Sequence, residues 1–206
     1  TFPDNLFGHW IIDLMKKGTK IIAIDPRLSW FASRAKHWLQ IRPGTDAALA
    51  LGFLHIIIAE KLYDQDFLET FTDAPRLIRE DTGKLLRENH LSKGGSKENF
   101  VVYDQKTEAV AIWHTGLQEY RPPAAVPALS GSFRVTLVSG ETAQCTTVWD
   151  KFKAGVLPYT PETVESITRV PAKDVIRAAR FYARSKPAAI HWGVPIDMTP
   201  EITPLC

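Results

Sequence analysis

The chain has 206 residues, which is enough for one sizeable core or for one domain with an elaborate insertion. It is 45% hydrophobic and 23% charged, and its net charge of +2 provides no strong field that would favour nucleic acid or an anionic membrane surface. Its two cysteines, Cys145 and Cys206, exclude a disulfide scaffold and a C-x-x-C metal or redox pair. The longest apolar run, near residues 47–59, is too short and too interrupted to cross a bilayer. We therefore expect a globular protein that neither binds nucleic acid nor inserts into a membrane.

The first sixty residues alternate between helical and strand patterns. Residues 21–24 are apolar without interruption, which is typical of a strand that is covered on both faces. Alternation of this kind favours a parallel α/β sheet. The predicted elements, in chain order, are a helix over 6–17, a strand over 21–24, a helix over 29–36, a strand over 38–41, and an apolar helix from Thr45 or Asp46 to about Lys61.

The middle of the chain changes to period-two patterning. The stretches "FVVYD" (100–104) and "AVAIWH" (109–114) each predict a strand. Residues 132–148 predict a hairpin with Gly140 in its turn. We predict that residues 82–150 form an antiparallel β insertion in the α/β domain.

Helical signals return after the insertion. Thr160 is a predicted N-cap with Pro161 in the first turn, and a second helix is predicted over 171–185. The stretch "PAAIHWG" (187–193) predicts a final buried strand. The expected fold is therefore an α/β domain over 1–81 and 151–206, with a three-layer, mostly parallel sheet of dinucleotide-binding type.

The first candidate site follows the strand over 21–24, which ends on "DPR". In open α/β sheets, ligands bind outside the carboxyl ends of the strands. There the carboxylate of Asp25 can accept hydrogen bonds from a nucleotide, and the guanidinium of Arg27 can bind a phosphate. The alternative is that Asp25 and Pro26 simply open a turn.

The second candidate site is "RPGTDAAL", at the start of the long apolar helix. Gly44 permits close approach of the backbone to a ligand, and Thr45 and Asp46 stand where free helical N–H groups converge. The alternative is a capped helix start and nothing more. Adjacent parallel strands would place both candidate loops on one edge of the sheet. A third candidate, "HWGVPID", contains Trp192 and Asp197, and its alternative is a buried tryptophan beside a glycine turn.

Two longer stretches resemble one enzyme family. Residues 22–68, beginning "IAIDPRLSWFASRAKHW", and residues 159–190, beginning "YTPETVESITRVPAKDV", are similar to the molybdopterin oxidoreductase (dimethyl sulfoxide reductase) family, in family order. With "GHWIIDLMKKGTK" ahead and "HWGVPIDM" behind, the chain most resembles the branch of acetylene hydratase, pyrogallol hydroxytransferase and uncharacterised anaerobic dehydrogenases.

This resemblance implies a bis(molybdopterin guanine dinucleotide) cofactor that carries molybdenum or tungsten. It implies that the two loops contact one guanine nucleotide, and that the loop after the last strand approaches the pterin and the metal. Several family members have Gln near the end of that last loop, where this chain has Ile196 and Asp197. The implied contacts are Asp25, Pro26, Arg27, Leu28 and Ser29, then Gly44, Thr45 and Asp46, and finally Trp192, Gly193 and Asp197.

The resemblance also implies which parts lie elsewhere. The family's 4Fe-4S cysteines and its metal-ligating residue lie upstream of the matching segment, so neither Cys145 nor Cys206 takes those roles. We therefore predict no catalytic or metal-ligating residue in this chain. Its expected partners are the remaining domains of the parent protein and an iron–sulfur electron-transfer subunit, and the expected chemistry is two-electron redox, hydration or hydroxyl transfer. The alternative is a free-standing α/β nucleotide-binding module without metal.

Overall fold

The computed structural model describes residues 6–191. The described chain divides into two compact units, the first formed by residues 6–63 and 156–191 and the second by residues 64–155. None of the described helices is long and apolar enough to cross a membrane. The six helices and eight strands of the described residues are α1 (Leu6–Lys16), β1 (Ile22–Ile24), β2 (His37–Leu39), α2 (Asp46–Ala59), α3 (Gln65–Phe71), β3 (Leu77–Arg79), β4 (Phe100–Asp104), β5 (Ala109–His114), β6 (Glu119–Arg121), β7 (Ser132–Thr136), β8 (Thr142–Thr147), α4 (Val148–Val156), α5 (Pro161–Thr168) and α6 (Ala172–Arg184).

The first unit contains a short parallel sheet. Strands β1 and β2 pair in parallel, with Ile22 opposite His37 and Ile24 opposite Leu39. The mixed α/β class is confirmed, but a mostly parallel three-layer sheet is not, because the other strand pairs in the described chain are antiparallel. Only Ala23 of β1 is buried, and Ile24 is 48% exposed, so β1 is not covered on both faces as predicted. The final predicted strand, over 187–193, is not formed in residues 187–191, and the rest of it lies outside the described residues.

The predicted helix over 29–36 is a single 3₁₀ turn, Ala32–Arg34. The backbone becomes extended at Ala35, and the N–H of Lys36 donates to the carbonyl of Ile21 at 2.8 Å. Residues 25–36 make the whole connection between two parallel strands, which requires about a dozen residues. Because the backbone is already extended at Ala35 and Lys36 is bonded to Ile21, the helical turn cannot continue to residue 36.

Helices α2, α5 and α6 form the core of the first unit. Thr160 caps α5 as predicted, accepting a hydrogen bond from the N–H of Thr163 at 3.2 Å, and Pro161 occupies the first turn. Gly52 lets α2 approach α5, because a Cβ at this position would lie 2.6 Å from Cγ2 of Val164. The buried residues of this core are Leu39, Ile41, Leu49, Ile56, Val164, Val170, Val175, Ala178 and Ala179.

The second unit is built from two three-stranded antiparallel sheets, in the orders β4-β5-β6 and β3-β8-β7. The strands predicted over 100–104 and 109–114 are confirmed, as is the hairpin, in which Gly140 has a φ of +88°. Strands β3 and β6 and helices α3 and α4 were not predicted. The strands are three residues long, too short to give a period-two signal.

Candidate functional site

The carboxyl ends of β1 and β2 lie on the same edge of the first unit. Asp25 directly follows β1, and its N–H donates to the carbonyl of Leu39, the last residue of β2, at 3.2 Å. The two chain segments that leave these strands therefore begin side by side. This is the parallel pairing that a shared ligand site at the strand ends requires.

The loop after β1 is a structured turn with exposed side chains. The Asp25 carboxylate accepts from the N–H of Arg27 at 2.9 Å, which is the turn chemistry that the sequence offered as an alternative. The Ser29 hydroxyl accepts from the N–H of Ala32 at 3.3 Å and so fixes the end of the loop. Between these two bonds, Pro26, Arg27 and Leu28 are exposed, Leu28 at 63%. The turn thus presents a guanidinium and an apolar side chain to solvent.

Two side chains near the end of β2 hold this loop from the other side, and neither was predicted from the sequence. The indole Nε1 of Trp38 donates to the carbonyl of Asp25 at 2.9 Å, and the Gln40 amide donates to the carbonyl of Pro26 at 3.2 Å. Residues two apart on an extended chain share a face. The available signal was therefore a pair of side-chain hydrogen-bond donors two residues apart, at positions 38 and 40.

The loop before α2 reaches its helix through a left-handed glycine. Gly44 has a φ of +80°, and a Cβ at this position would meet nothing within 4 Å. The Thr45 hydroxyl donates to the carbonyl of Arg42 at 2.7 Å and makes no capping bond to α2. Asp46 is the first helical residue. The predicted helix start at Thr45 or Asp46 is confirmed, and the Thr45 hydroxyl closes the preceding turn instead of bonding to an N–H group of α2.

The amino terminus of α2 consequently keeps donor capacity for a ligand. The first N–H groups of a helix have no intrahelical partner, and the helix dipole makes this end favourable for anions. Among the described residues, no side chain accepts a hydrogen bond from the N–H groups in the first turn of α2. The loop before α2 is attached to the core of the first unit, because the N–H of Arg42 donates to the carbonyl of the buried Thr168 at 2.8 Å.

A perturbed histidine lies at the other end of the same strand pair. Burial, together with nearby Lys36 and Arg177, lowers the pKa of His37 below its ordinary value, against the opposing charge of Asp174. His37 begins β2, so it belongs to the amino edge of the sheet and not to the candidate site. The candidate residues Trp192, Gly193 and Asp197 lie outside the described residues.

The comparisons with known proteins identify the family. A sequence model described as molybdopterin oxidoreductase matches residues 6–196. The chain is 35% identical to the perchlorate reductase subunit alpha of Dechloromonas aromatica, over 90% of this chain and 23% of the relative. It is 33% identical to the dimethylsulfide dehydrogenase subunit alpha of Rhodovulum sulfidophilum, over 92% of this chain and 21% of the relative.

A solved structure adds support for the fold. The acetylene hydratase of Pelobacter acetylenicus superposes with a TM-score of 0.56 at 24% identity, covering 97% of this chain and 18% of that chain. The chain therefore spans between a fifth and a quarter of the length of the two curated relatives, and somewhat less of the solved structure. The match in structure includes both units of the chain.

Proposed function

The chain belongs to the molybdopterin oxidoreductase family, and from that premise we propose that it is the part of a larger molybdenum or tungsten enzyme that holds one guanine nucleotide of a bis(molybdopterin guanine dinucleotide) cofactor. The observation that carries this proposal is the hydrogen bond from Asp25 to Leu39, which joins the carboxyl ends of two parallel strands. The proposed contacts are Asp25, Pro26, Arg27, Leu28, Ser29, Gly44, Thr45 and Asp46. Trp192, Gly193 and Asp197 are proposed to contribute from beyond the described residues.

The acceptors and donors at this edge fit a guanine nucleotide. The guanine edge carries N–H donors, and carboxylates accept such hydrogen bonds strongly. The carboxylate of Asp46 accepts no hydrogen bond from another described residue, so it is available to a base. Asp25 has one oxygen engaged by its own turn, which orients the carboxylate without using all of its lone pairs.

The same edge fits phosphate. Arg27 is exposed beside the loop, and the uncapped start of α2 supplies N–H groups. Gly44 leaves open space where any other residue would carry a Cβ. A pyrophosphate can therefore approach the backbone here closely, while Trp38 and Gln40 hold the opposing loop in place.

The bound cofactor would supply two-electron redox chemistry, or hydration or hydroxyl transfer, at its metal. This chain's own residues bind and orient the nucleotide end and take no part in bond making. We propose that the metal ligand and a 4Fe-4S cluster come from the rest of the parent, that an iron–sulfur subunit is its electron-transfer partner, and that this chain alone is inactive.

Replacement of Asp46 separates a ligand contact from a helix-end effect. Asp46→Ala in the parent protein should lower molybdenum or tungsten per chain, because losing a charged hydrogen bond to a bound base costs about 1.5–3 kcal/mol, or roughly ten- to a hundredfold in affinity. The thermal midpoint of this chain should change little, because a charge in the first turn of a helix contributes only about 0.3–1 kcal/mol. Metal analysis and thermal unfolding are the two measurements.

Asp66→Ala is the matched control, because Asp66 is an acidic residue in the first turn of α3 in the second unit. It should leave metal content unchanged. Equal metal loss in both variants, or none in Asp46→Ala, would refute the contact. Adding GMP to this chain tests the metal-free alternative: tight binding of GMP, together with a parent protein that is purified without metal, would favour a nucleotide-binding module.

A further inference from the structure

The second unit contains a cavity unrelated to the candidate nucleotide site. It has a volume of about 280 Å³ and lies between α3 and the strands β5 and β6. Trp113 and Tyr120 form an edge-to-face pair with ring centroids 4.8 Å apart, and the Tyr120 hydroxyl donates to the carbonyl of Glu69 at 3.0 Å. We call this cavity the α3–β5 pocket; its lining includes Phe71, Thr72, Arg76, Trp113, Gln118 and Tyr120.

Arg76 places a partly compensated positive charge in the pocket. Its side chain is 17% exposed, and it forms an ion pair with Asp73 at 2.7 Å, whose own side chain is 58% exposed. The guanidinium also stacks on the ring of Phe100 at 3.6 Å, and Arg87 stacks on the same ring at 3.7 Å. Within residues 6–191, Asp73 is the only carboxylate within ion-pair distance of either guanidinium. Arg76 and Arg87, which stack on the same ring, therefore carry two positive charges against the single carboxylate of Asp73.

The rim of the pocket exposes large apolar side chains. Phe71 is 75% exposed and Phe67 is 54% exposed, and their rings lie 5.6 Å apart on α3. Leu117, the neighbour of the lining residue Gln118, is 56% exposed. Clustered exposed apolar groups mark interaction surfaces, and the residues that dominate binding at such surfaces are enriched in Trp, Tyr and Arg.

We propose that the α3–β5 pocket docks a polypeptide segment from the remainder of the parent protein, one that places an acidic side chain against Arg76 and an apolar side chain beside Phe71 and Trp113. The two curated relatives are four to five times longer than the part that this chain matches, so such a segment has a source. The inference shares with the proposed function only the premise that the parent is longer than this chain.

A covalently linked segment fits this pocket better than a free small molecule. Pockets for small ligands usually have volumes of about 300–1,000 Å³ and bury most of the ligand. This cavity is smaller, and Phe71 on its wall is largely in solvent. A segment of the same protein is present at a high effective concentration, so a shallow pocket and one ion pair are sufficient to hold it.

Hydrogen exchange tests the proposal directly. Amide exchange over residues 65–71 and 113–120 should be at least tenfold slower in the parent protein than in this chain alone, because the docked segment covers both stretches. The central strand β8 serves as the internal control for global stability. Equal exchange over residues 65–71 in the two proteins, after correction by β8, would overturn the proposal.

Matched variants identify the side chains. In the parent, Phe71→Ser and Arg76→Gln should each remove most of the added protection of residues 65–71. Phe152→Ser, at another exposed phenylalanine of the second unit (42% exposed), should not. The thermal midpoint of each variant of this chain confirms that it folds. If Phe71→Ser leaves the protection intact, the surface is not the docking site.

Sedimentation of this chain distinguishes a second copy from a parent segment. We expect a monomer across the accessible concentrations. A dimer that Phe71→Ser dissolves would mean that another copy of the chain covers the pocket, and the proposal would fail. Metal content is independent of these results, because Phe71 and Arg76 lie in the second unit and the proposed nucleotide contacts lie in the first.

Discussion

Gly52 stands where α2 packs against α5, and its replacement by alanine should destabilise the first unit. A Cβ built on Gly52 lies 2.6 Å from Cγ2 and 3.2 Å from Cγ1 of Val164, whereas carbon atoms in contact prefer about 3.5–4.0 Å. Val164 is fully buried, and its β-branched side chain has few alternative rotamers. The two helices must therefore separate by about 1 Å to accept one methyl group.

The expected magnitude combines two opposing effects. Overpacking a core costs about 1–3 kcal/mol, and a rigid buried partner at this distance places Gly52→Ala near the upper end. Replacing glycine by alanine within a helix stabilises the helix by about 1 kcal/mol. We expect a net loss of about 2 kcal/mol, or roughly 4–8 °C in the thermal midpoint for a chain of this size.

Two further variants make this prediction specific. Gly155→Ala in α4 introduces a Cβ that meets nothing within 4 Å, so it should be neutral or stabilising by up to about 1 kcal/mol. The double variant Gly52→Ala with Val164→Ala should be less destabilised than the sum of its single variants by at least about 1 kcal/mol, because the clash is gone. Urea unfolding followed by circular dichroism measures the wild type, Gly52→Ala, Gly155→Ala, Val164→Ala and the double variant. A Gly52→Ala protein as stable as the wild type, or additive single variants, would refute the close packing of these helices.

Three smaller effects follow from side-chain hydrogen bonds. Thr160→Ala should lower the free energy of unfolding by about 1 kcal/mol, because its hydroxyl caps α5, whereas Thr45→Ala removes no cap and should cost less; equal losses in urea unfolding would contradict this difference. The hydrogen bond from Thr107, with that from the N–H of Val126, holds the pKa of the buried Asp104 below its ordinary value. This stabilisation is present above the ordinary carboxyl pKa of about 4 and is lost as pH falls through the lower folded value. Asp104→Asn should therefore lower the urea midpoint clearly at pH 7, and the difference from the wild type should shrink as pH falls below about 4; a difference that does not change with pH would mean that the charge of Asp104 is unimportant.

Elements with strong local signals were predictable from the sequence alone. Thr160 and Pro161 predict the start of α5 to within one turn. The alternating pattern in residues 100–114 predicts the observed bounds of β4 and β5. Asp25 and Gly44 stand out in the sequence because a strand end and a helix start each carry their own residue chemistry, and their contact with a nucleotide stays a prediction. These signals are local, since a helix or a strand pattern is complete within a few residues.

Other features depend on partners far away in the chain. Strand β3 exists because Leu77 pairs with Thr147 of β8, and no pattern within three residues could indicate that. Likewise, the apolar run that ends at Ile24 is typical of a strand covered on both faces. Ile24 nevertheless lies on an exposed face, because the described sheet of the first unit contains only two strands.

The sequence by itself determined helices α1, α2, α5 and α6, the longer antiparallel strands and the position of the two candidate loops. Only the tertiary structure decided that Trp38 and Gln40 hold the loop after β1, that the Thr45 hydroxyl closes a turn, and that Arg76 lies in a pocket with Trp113. Periodicity and capping are properties of neighbouring residues, whereas strand partners, the exposed faces of strands and the direction of a polar side chain are set by contacts between distant segments.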